Sequence, residues 1–318
     1  MQKRTLGNSG IEVAPLTFGG NVFGWTIDEK TSFRLLDAFT DAGFNFVDTA
    51  DVYSRWAPGN EGGESETILG KWMKARGNRN NVVIATKVGA DMGNGKVGLS
   101  RKYITEAVES SLRRLQTDHI DLYQTHFDDG ATPVDETLGT YADLLKQGKI
   151  RAIGASNMSP ARLLASLETS KKHGYPRYET FQPNYNLYDR ADYERDIEPI
   201  VTENGLGVIN YYSLASGFLT GKYRSEDDLG KSARGQGVKK YLNERGFAIL
   251  AALDEVAKKH GSTSAAVSIA WLLARPSITA PIASATSVEQ LGDLVKAVQL
   301  NLDADSIERL NQASEWRS

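Results

Sequence analysis

Eight short apolar segments alternate with amphipathic ones along this chain of 318 residues, and three of the apolar segments run into ionisable side chains. The alternation predicts an α/β fold, a closed (β/α)₈ barrel of the TIM type, because parallel strands need helical crossovers and covered faces. The strand-end ionisable residues agree, since reactive groups of that fold gather at the C-terminal ends of its strands. An open doubly wound sheet would need a G-x-G-x-x-G turn after the first strand, and the run from Gly19 to Gly24 lacks that spacing.

Strands are expected at residues 16–20, 44–49, 82–87, 120–126, 150–156, 180–184, 208–213 and 278–284. Helical periodicity fills 28–42, 64–75, 101–115, 134–147, 160–173, 192–204 and 265–274, with 288–298 after the last strand. Gly43, Gly148 and Gly174 stand where helix ends need a left-handed residue. Ser100 and the pair Ser159 and Pro160 are start signals. Before the barrel, residues 5–13 turn at Gly7 and Gly10 and read as an N-terminal β-hairpin. Two long loops, 55–63 and 216–245, interrupt the rhythm; the second is basic, has no apolar periodicity, and reads as a lid or a poorly ordered segment. Extra C-terminal helices are expected at 246–260 and 303–314, and the whole of 1–318 is read as one domain.

Hydrophobic residues at 40% and charged residues at 24% describe an ordinary globular protein. A net charge of −3 provides no basic field for nucleic acid. Without cysteine there can be no disulfide, thiolate metal site or cysteine nucleophile. The first ten residues contain no apolar secretory segment, and no apolar run is long enough to span a membrane. The expectation is a cytoplasmic protein acting on small molecules, with no nucleic-acid or membrane partner; monomer and homo-oligomer remain open.

Four residues near strand ends can converge on one rim: Asp48 and Tyr53 after the second strand, Lys87 at the end of the third, and His126 at the end of the fourth. Each alone has a structural explanation, as a loop cap, a packing ring, an exposed lysine or a core histidine. Together they have a chemical one. A tyrosine hydroxyl becomes a usable acid when an ammonium stabilises its phenolate, and a carboxylate behind the lysine keeps that ammonium charged and aimed. A neighbouring histidine orients a carbonyl oxygen or relays a proton. No metal-ligand cluster, Ser-His-Asp set or acidic pair accompanies them, so hydrolysis is poorly supported. No side chain supplies a hydride, so reduction requires a cofactor.

The stretches LGNSGIEVAPLTFGG, FNFVDTADVY, VIATKVG, HIDLYQTHFDD, KIRAIGASN, FQPNYNLYDR and LASGFLTGKY resemble the aldo-keto reductase superfamily over nearly the full length. The chain is similar to bacterial NADPH-dependent members and to the branch that includes potassium-channel β-subunits. The resemblance implies a catalytic set of Tyr53, Asp48, Lys87 and His126, with hydride passing from nicotinamide to a carbonyl carbon while Tyr53 protonates the oxygen. It also implies that Ser156, Asn157 and Gln182 hold the carboxamide, although Asn157 is equally suited to cap the following helix. Tyr211 would stack on the nicotinamide, and Gly20 and Asn21, with Asp48, would border it. Leu214, Ser216, Gly217 and Leu219 would line the pyrophosphate path, with Lys222 on phosphate; Ser284, Thr286 and Gln290 match the adenosine end.

Three departures from the family pattern stand out. No proline follows Ser213, relatives vary between a basic residue and glutamine at Gln290, and Leu294 replaces an asparagine often found there. Arg234 can be a partner for a 2′-phosphate, which favours NADPH over NAD, or a solvated loop charge. Phe23, Trp25, Trp56 and Phe127 are expected around the pocket mouth, suiting an aldehyde, ketone or keto-sugar. Asp128 and Asp129 read as a solvated acidic loop, or as a contact for dihydroxylated substrates. The leading function is a reversible NAD(P)H-dependent carbonyl reductase. The alternatives are an NADPH-binding sensor or scaffold with little turnover, and another barrel enzyme such as a phospho-sugar isomerase.

Overall fold

Successive side chains of a strand face opposite ways, so the interior of a barrel is made by every second residue. The structure, a computed structural model, describes residues 1–316. An antiparallel hairpin of β1 (Arg4–Thr5) and β2 (Glu12–Val13) comes first. Eight parallel strands follow: β3 (Thr17–Gly19), β4 (Phe46–Asp48), β5 (Val83–Val88), β6 (Ile120–Thr125), β7 (Ile150–Ser156), β8 (Tyr178–Gln182), β9 (Gly207–Val208) and β10 (Ile282–Ala283). Their spatial order is their sequence order, with β10 returning beside β3. The ring closes where Val208 bridges Ile278 and the Asn210 carbonyl accepts the Ile282 N–H at 2.9 Å.

Helices surround the ring: α1 (Glu29–Asp41), α2 (Glu64–Arg76), α3 (Arg101–Leu115), α4 (Val134–Lys146), α5 (Pro160–His173), α6 (Glu198–Glu203), α7 (Glu244–Lys259), α8 (Ser264–Leu273), α9 (Val288–Gln299) and α10 (Ala304–Ala313). The expected stop signals hold, as Gly43, Gly148 and Gly174 all adopt positive φ. So do the starts: the side chains of Ser100 and Ser159 accept the N–H of Tyr103 and Arg162. Among the described residues, no helix is long and apolar enough to cross a membrane.

Three expectations change. The helix over 192–204 is divided, a π-type turn at Tyr193–Ile197 preceding α6. Pro199 has no N–H to continue an i→i−4 ladder, so the wider turn accommodates it. The last two strands are shorter than expected, and beyond β9 isolated hydrogen bonds at Ile209 and Asn210 and a bridge at Tyr211 continue the pairing. The 216–245 loop is neither lid-like coil nor featureless. It winds through 3₁₀ turns at Ala215–Thr220, Glu226–Lys231 and Gly235–Tyr241, the second started by a capping box between Ser225 and Asp228. Phe218, Leu229, Val238 and Tyr241 anchor it in the core. Such turns have no 3.6-residue stripe, which explains why periodicity failed to find them.

Inside the ring the lower layer is apolar. Phe46, Ala85, Leu122, Ala152, Ile209 and Ala280 meet there, and Leu6 and Val13 from the hairpin plug the bottom. Two residues further along the same faces, Phe46 gives way to Asp48, Ala85 to Lys87, Leu122 to Gln124 and Ala152 to Gly154. The two-residue period thus lifts a polar layer onto an apolar floor. Gly154 is required at this level: a Cβ would overlap Thr180 Oγ1 and press on Gln124 Cγ at 3.1 Å. Gly154→Ala should lower stability by about 1–3 kcal/mol, read as a lower urea midpoint; an unchanged midpoint would show that the layer has spare room.

Candidate active site

Asp48, at the end of β4, is 1% exposed and gathers four donors. Its Oδ2 accepts from Lys87 Nζ at 2.6 Å and Tyr53 Oη at 3.3 Å. Its Oδ1 accepts from the Nε2 atoms of Gln182 at 2.9 Å and Gln124 at 3.1 Å. That uses the roughly four acceptor positions of a carboxylate. Lys87 is fully buried on β5, and its three N–H bonds are also taken, by Asp48, by the Thr49 carbonyl at 2.9 Å and by Tyr53 Oη at 2.8 Å. The ammonium therefore has one orientation, with one N–H on the tyrosine oxygen. Tyr53 lies on the turn after β4, and the His126 ring meets it edge-on at 6.1 Å between centroids.

Burial is the largest influence on Tyr53 and holds its hydroxyl well above the ordinary phenol range; Asp48 pushes the same way and Arg234 opposes. The sequence suggested that the lysine would lower this value. In the structure burial wins, so Tyr53 rests protonated, and the ammonium at 2.8 Å favours the phenolate once the proton has left. Burial likewise pulls Lys87 below the usual ammonium range, against Asp48, Asp51 and Glu66. His126 is driven well below the usual imidazole value by burial and then by Lys87, so it is neutral at neutral pH. Its Nδ1 is buried without a partner. The arrangement can release one proton from Tyr53 to an oxygen gaining negative charge, with a neutral imidazole beside it.

The remaining expected residues divide clearly. Helix α5 is capped by Ser159, which leaves Ser156 and Asn157 free of that duty. Ser156 Oγ donates to the Gln182 carbonyl at 2.8 Å, and Asn157 Nδ2 donates to the His126 carbonyl at 3.0 Å. Tyr211 Oη donates to Asn157 Oδ1 at 2.9 Å, so these residues form one wall running from β7 to the segment after β9. Asn157 takes a left-handed φ of 46°, a strained value for a residue other than glycine. Gly20 passes so near the Asp48 carbonyl that a Cβ would lie 3.0 Å from it.

A second group of expected residues follows β3, β9 and β10. Ala215, Ser216 and Gly217 are successive left-handed residues, and the N–H groups of Ala215 and Gly217 close the turn on the Tyr212 and Leu214 carbonyls at 2.7 and 2.8 Å. Lys222 lies against Gly217. The Asn21 amide accepts from Arg234 Nη2 and donates to Ser284 Oγ, both at 2.8 Å, and the guanidinium lies 5.3 Å above the Trp25 ring. Among the described residues neither Lys222 nor Arg234 pairs with a carboxylate. Two cations without a carboxylate partner suit a phosphate-bearing group. Thr286 and Gln290 hydrogen-bond each other at the start of α9.

Two side chains are not where the sequence reading put them. Phe23 is fully buried and stacks on Phe18 in the core, so it is absent from the mouth. Leu219 is also fully buried, anchoring its turn, while Leu214 packs against the core at its edge. Both carry large apolar surface that the core takes up. Trp25, Trp56 and Phe127 do meet at the rim: Trp56 is edge-on to both Trp25 and Tyr53, and Phe127 stacks on His126 at 4.6 Å. Exposed Tyr212 lies edge-on to Tyr211 at 5.1 Å. Asp128 pairs with Arg162, and Asp129 caps its own turn and the Leu99 N–H, so both serve the loop. Gln124 was missed, although it stands two residues before His126 and therefore shares its face. Asp51, three residues after Asp48, was also missed.

Comparison with known proteins agrees with this geometry. Residues 15–315 match the model of the aldo/keto reductase family. The uncharacterized oxidoreductase YrpG of Bacillus subtilis (strain 168) is 37% identical over 98% of this chain and 95% of its own. The aldo-keto reductase YhdN of the same organism is 33% identical over 99% of this chain and 94% of its own. A probable voltage-gated potassium channel subunit beta of Oryza sativa subsp. japonica is 33% identical over 94% of this chain and 92% of its own. A barrel whose polar layer presents a protonated tyrosine, with a match across nearly its whole length, identifies the protein as an oxidoreductase that belongs to the aldo/keto reductase family, whose members reduce carbonyl compounds with nicotinamide cofactors.

Proposed function

We propose that the chain acts as a single barrel domain and is an NADPH-dependent reductase of an aldehyde, a ketone or a keto-sugar, working reversibly. The observation behind this reading is the Lys87 ammonium, buried and fully bonded, with one N–H on the hydroxyl of a protonated Tyr53. A bound reduced nicotinamide supplies the hydride that adds to the carbonyl carbon. Tyr53 gives its proton to the carbonyl oxygen, and Lys87 stabilises the phenolate left behind. Neutral His126 orients that oxygen, while the rings of Trp25, Trp56 and Phe127 exclude water and take the apolar face of the substrate. Ser156, Asn157, Gln182 and Tyr211 would hold the nicotinamide, with Asn21 and Gly20 at its edge. The turn of Leu214, Ser216 and Gly217 with Lys222 would take the pyrophosphate, and Ser284, Thr286 and Gln290 the adenosine.

Preference for NADPH rests on Arg234. Arg234, held by Asn21 and without a carboxylate partner among the described residues, would accept a 2′-phosphate. A cytoplasmic setting belongs to the same reading. A partner protein that binds NADPH with little turnover is the competing view, and the potassium-channel subunit among the relatives supports its partner role; the intact proton donor favours turnover. The assay that decides is reduced-nicotinamide oxidation across aldehydes, ketones and keto-sugars, with NADPH and NADH run separately. Oxidation coupled to alcohol formation is expected, whereas very slow cofactor release with no turnover would favour the binding role.

Two substitutions sharpen the assignment. Tyr53→Phe should cut turnover by about 10²–10⁴-fold while NADPH still binds; reduction at the wild-type rate would remove Tyr53 from its role. Arg234→Ala should weaken NADPH binding by about 10- to 100-fold and leave NADH binding nearly unchanged. Equal losses for both cofactors, measured by fluorescence titration, would place Arg234 on the pyrophosphate instead.

A further inference from the structure

Beneath the lysine lies a second buried group of charges that the proton transfer does not use directly. Asp51 is 2% exposed, its backbone N–H points at the Lys87 carbonyl at 3.4 Å, and neither carboxylate oxygen has a side-chain partner; the adjacent Val52 N–H is the one donor that acts on them. Glu66 of α2, fully buried, accepts from Thr86 Oγ1 at 2.5 Å and from Arg114 Nε of α3 at 2.6 Å. Tyr103 of α3, Tyr123 of β6 and Tyr141 of α4 all feel the charge of Asp51, and the buried Tyr123 hydroxyl is also without a partner. Asp91, after β5, acts on the same Tyr103.

Charge counting is decisive here. Two cations enter this region, Lys87 and Arg114, and each already has a carboxylate at 2.6 Å, Asp48 and Glu66 respectively. Asp51 is a third carboxylate with no counter-ion of its own and no side-chain donor. An isolated buried carboxylate of that kind takes a proton rather than remain charged. Burial, followed by Glu66, raises Asp51 to about 8, against the pull of Arg114, the Val52 N–H and Lys87.

We propose that Asp51 is a positioning residue for the acid: as a neutral carboxyl it leaves the Lys87 charge free to favour the Tyr53 phenolate, and on ionising it weakens that influence. The proposal rests on the reductase reading above and names the group that limits it in alkali. Asp51 does not touch the reacting atoms; it acts through Lys87, which feels its charge. With Asp51 ionised, three carboxylates face two cations, the field at Tyr53 becomes more negative, and the phenol gives up its proton less readily.

The test compares kcat for carbonyl reduction by wild type and Asp51→Asn at saturating NADPH, from about pH 6 to about pH 10, across the ionisation at about 8. The wild type should lose rate as pH rises through that point. Asp51→Asn, permanently neutral, should keep its rate at least about one unit further into alkali. A purely structural role would lower the rate equally at every pH and leave the two limbs superimposed, which would overturn the proposal. Stability gives a readout independent of turnover. The folded chain holds the Asp51 proton up to about 8, whereas the unfolded chain releases it near the ordinary aspartate value. The stabilisation is therefore complete below the unfolded value and is lost as pH rises through the folded one. Wild type should lose urea resistance relative to Asp51→Asn between about pH 5 and about pH 9; a constant difference would count against a protonated Asp51. If the variant fails to fold, infrared titration of wild type decides, because a protonated carboxyl band must persist at neutral pH and vanish in mild alkali. Its absence at neutral pH sinks the idea. A wild type that reduces no carbonyl at any pH would instead defeat the reductase reading, and this role with it.

Discussion

An ammonium and a carboxylate, both buried and 2.6 Å apart, constrain the rest of this molecule. Desolvating each ion costs several kcal/mol, and the pair is tolerable only if its other hydrogen-bonding positions are filled. The barrel fills all of them. Gln124 and Gln182 reach Asp48 from β6 and β8, the Thr49 carbonyl takes one lysine N–H, and the last is left for Tyr53. A pair of this kind is a poor source of stability. Its value is orientation, because an ammonium with three fixed partners cannot turn away from the phenol.

The layered interior follows from that requirement. A continuous apolar floor of Phe46, Ala85, Leu122 and Ala152, plugged by the hairpin, keeps water from the polar layer above it. Gly154 gives the Gln124 side chain room to lie across the ring. Outside the layer, the turn at Ser216 and Gly217, the cations Lys222 and Arg234, and the aromatic rim can vary without disturbing the pair. On the proposed reading, the chemistry and its selectivity would thus be held by different parts of the chain.

Most of the fold was legible because its signals are local: apolar runs, glycines at helix ends and capping serines. The four site residues were legible because strand ends converge in a barrel, so Asp48, Lys87 and His126 could be placed without coordinates. Side chains that act by packing across elements were not. Phe23 and Leu219 look like pocket residues by position, yet the core captures them. Gln124 reads as an ordinary strand residue until Asp48 is seen to need a donor. The protonation of Asp51 depends on pairs made by β4, β5, α2 and α3, and no window of sequence contains all four. The divided helix before Pro199 and the 3₁₀ turns of 216–245 escaped because neither has the periodicity of an α-helix.

The central claim is that the Asp48 charge keeps Lys87 ionised and aimed so that Tyr53 can deliver a proton. Single-turnover mixing of cofactor-loaded Asp48→Asn with a carbonyl substrate tests it most directly, since asparagine keeps the shape and removes the charge. The account expects the cofactor still to bind and hydride loss to slow by about 100-fold or more, because proton delivery falls with it. Hydride loss at the wild-type rate in a variant that folds normally would contradict it.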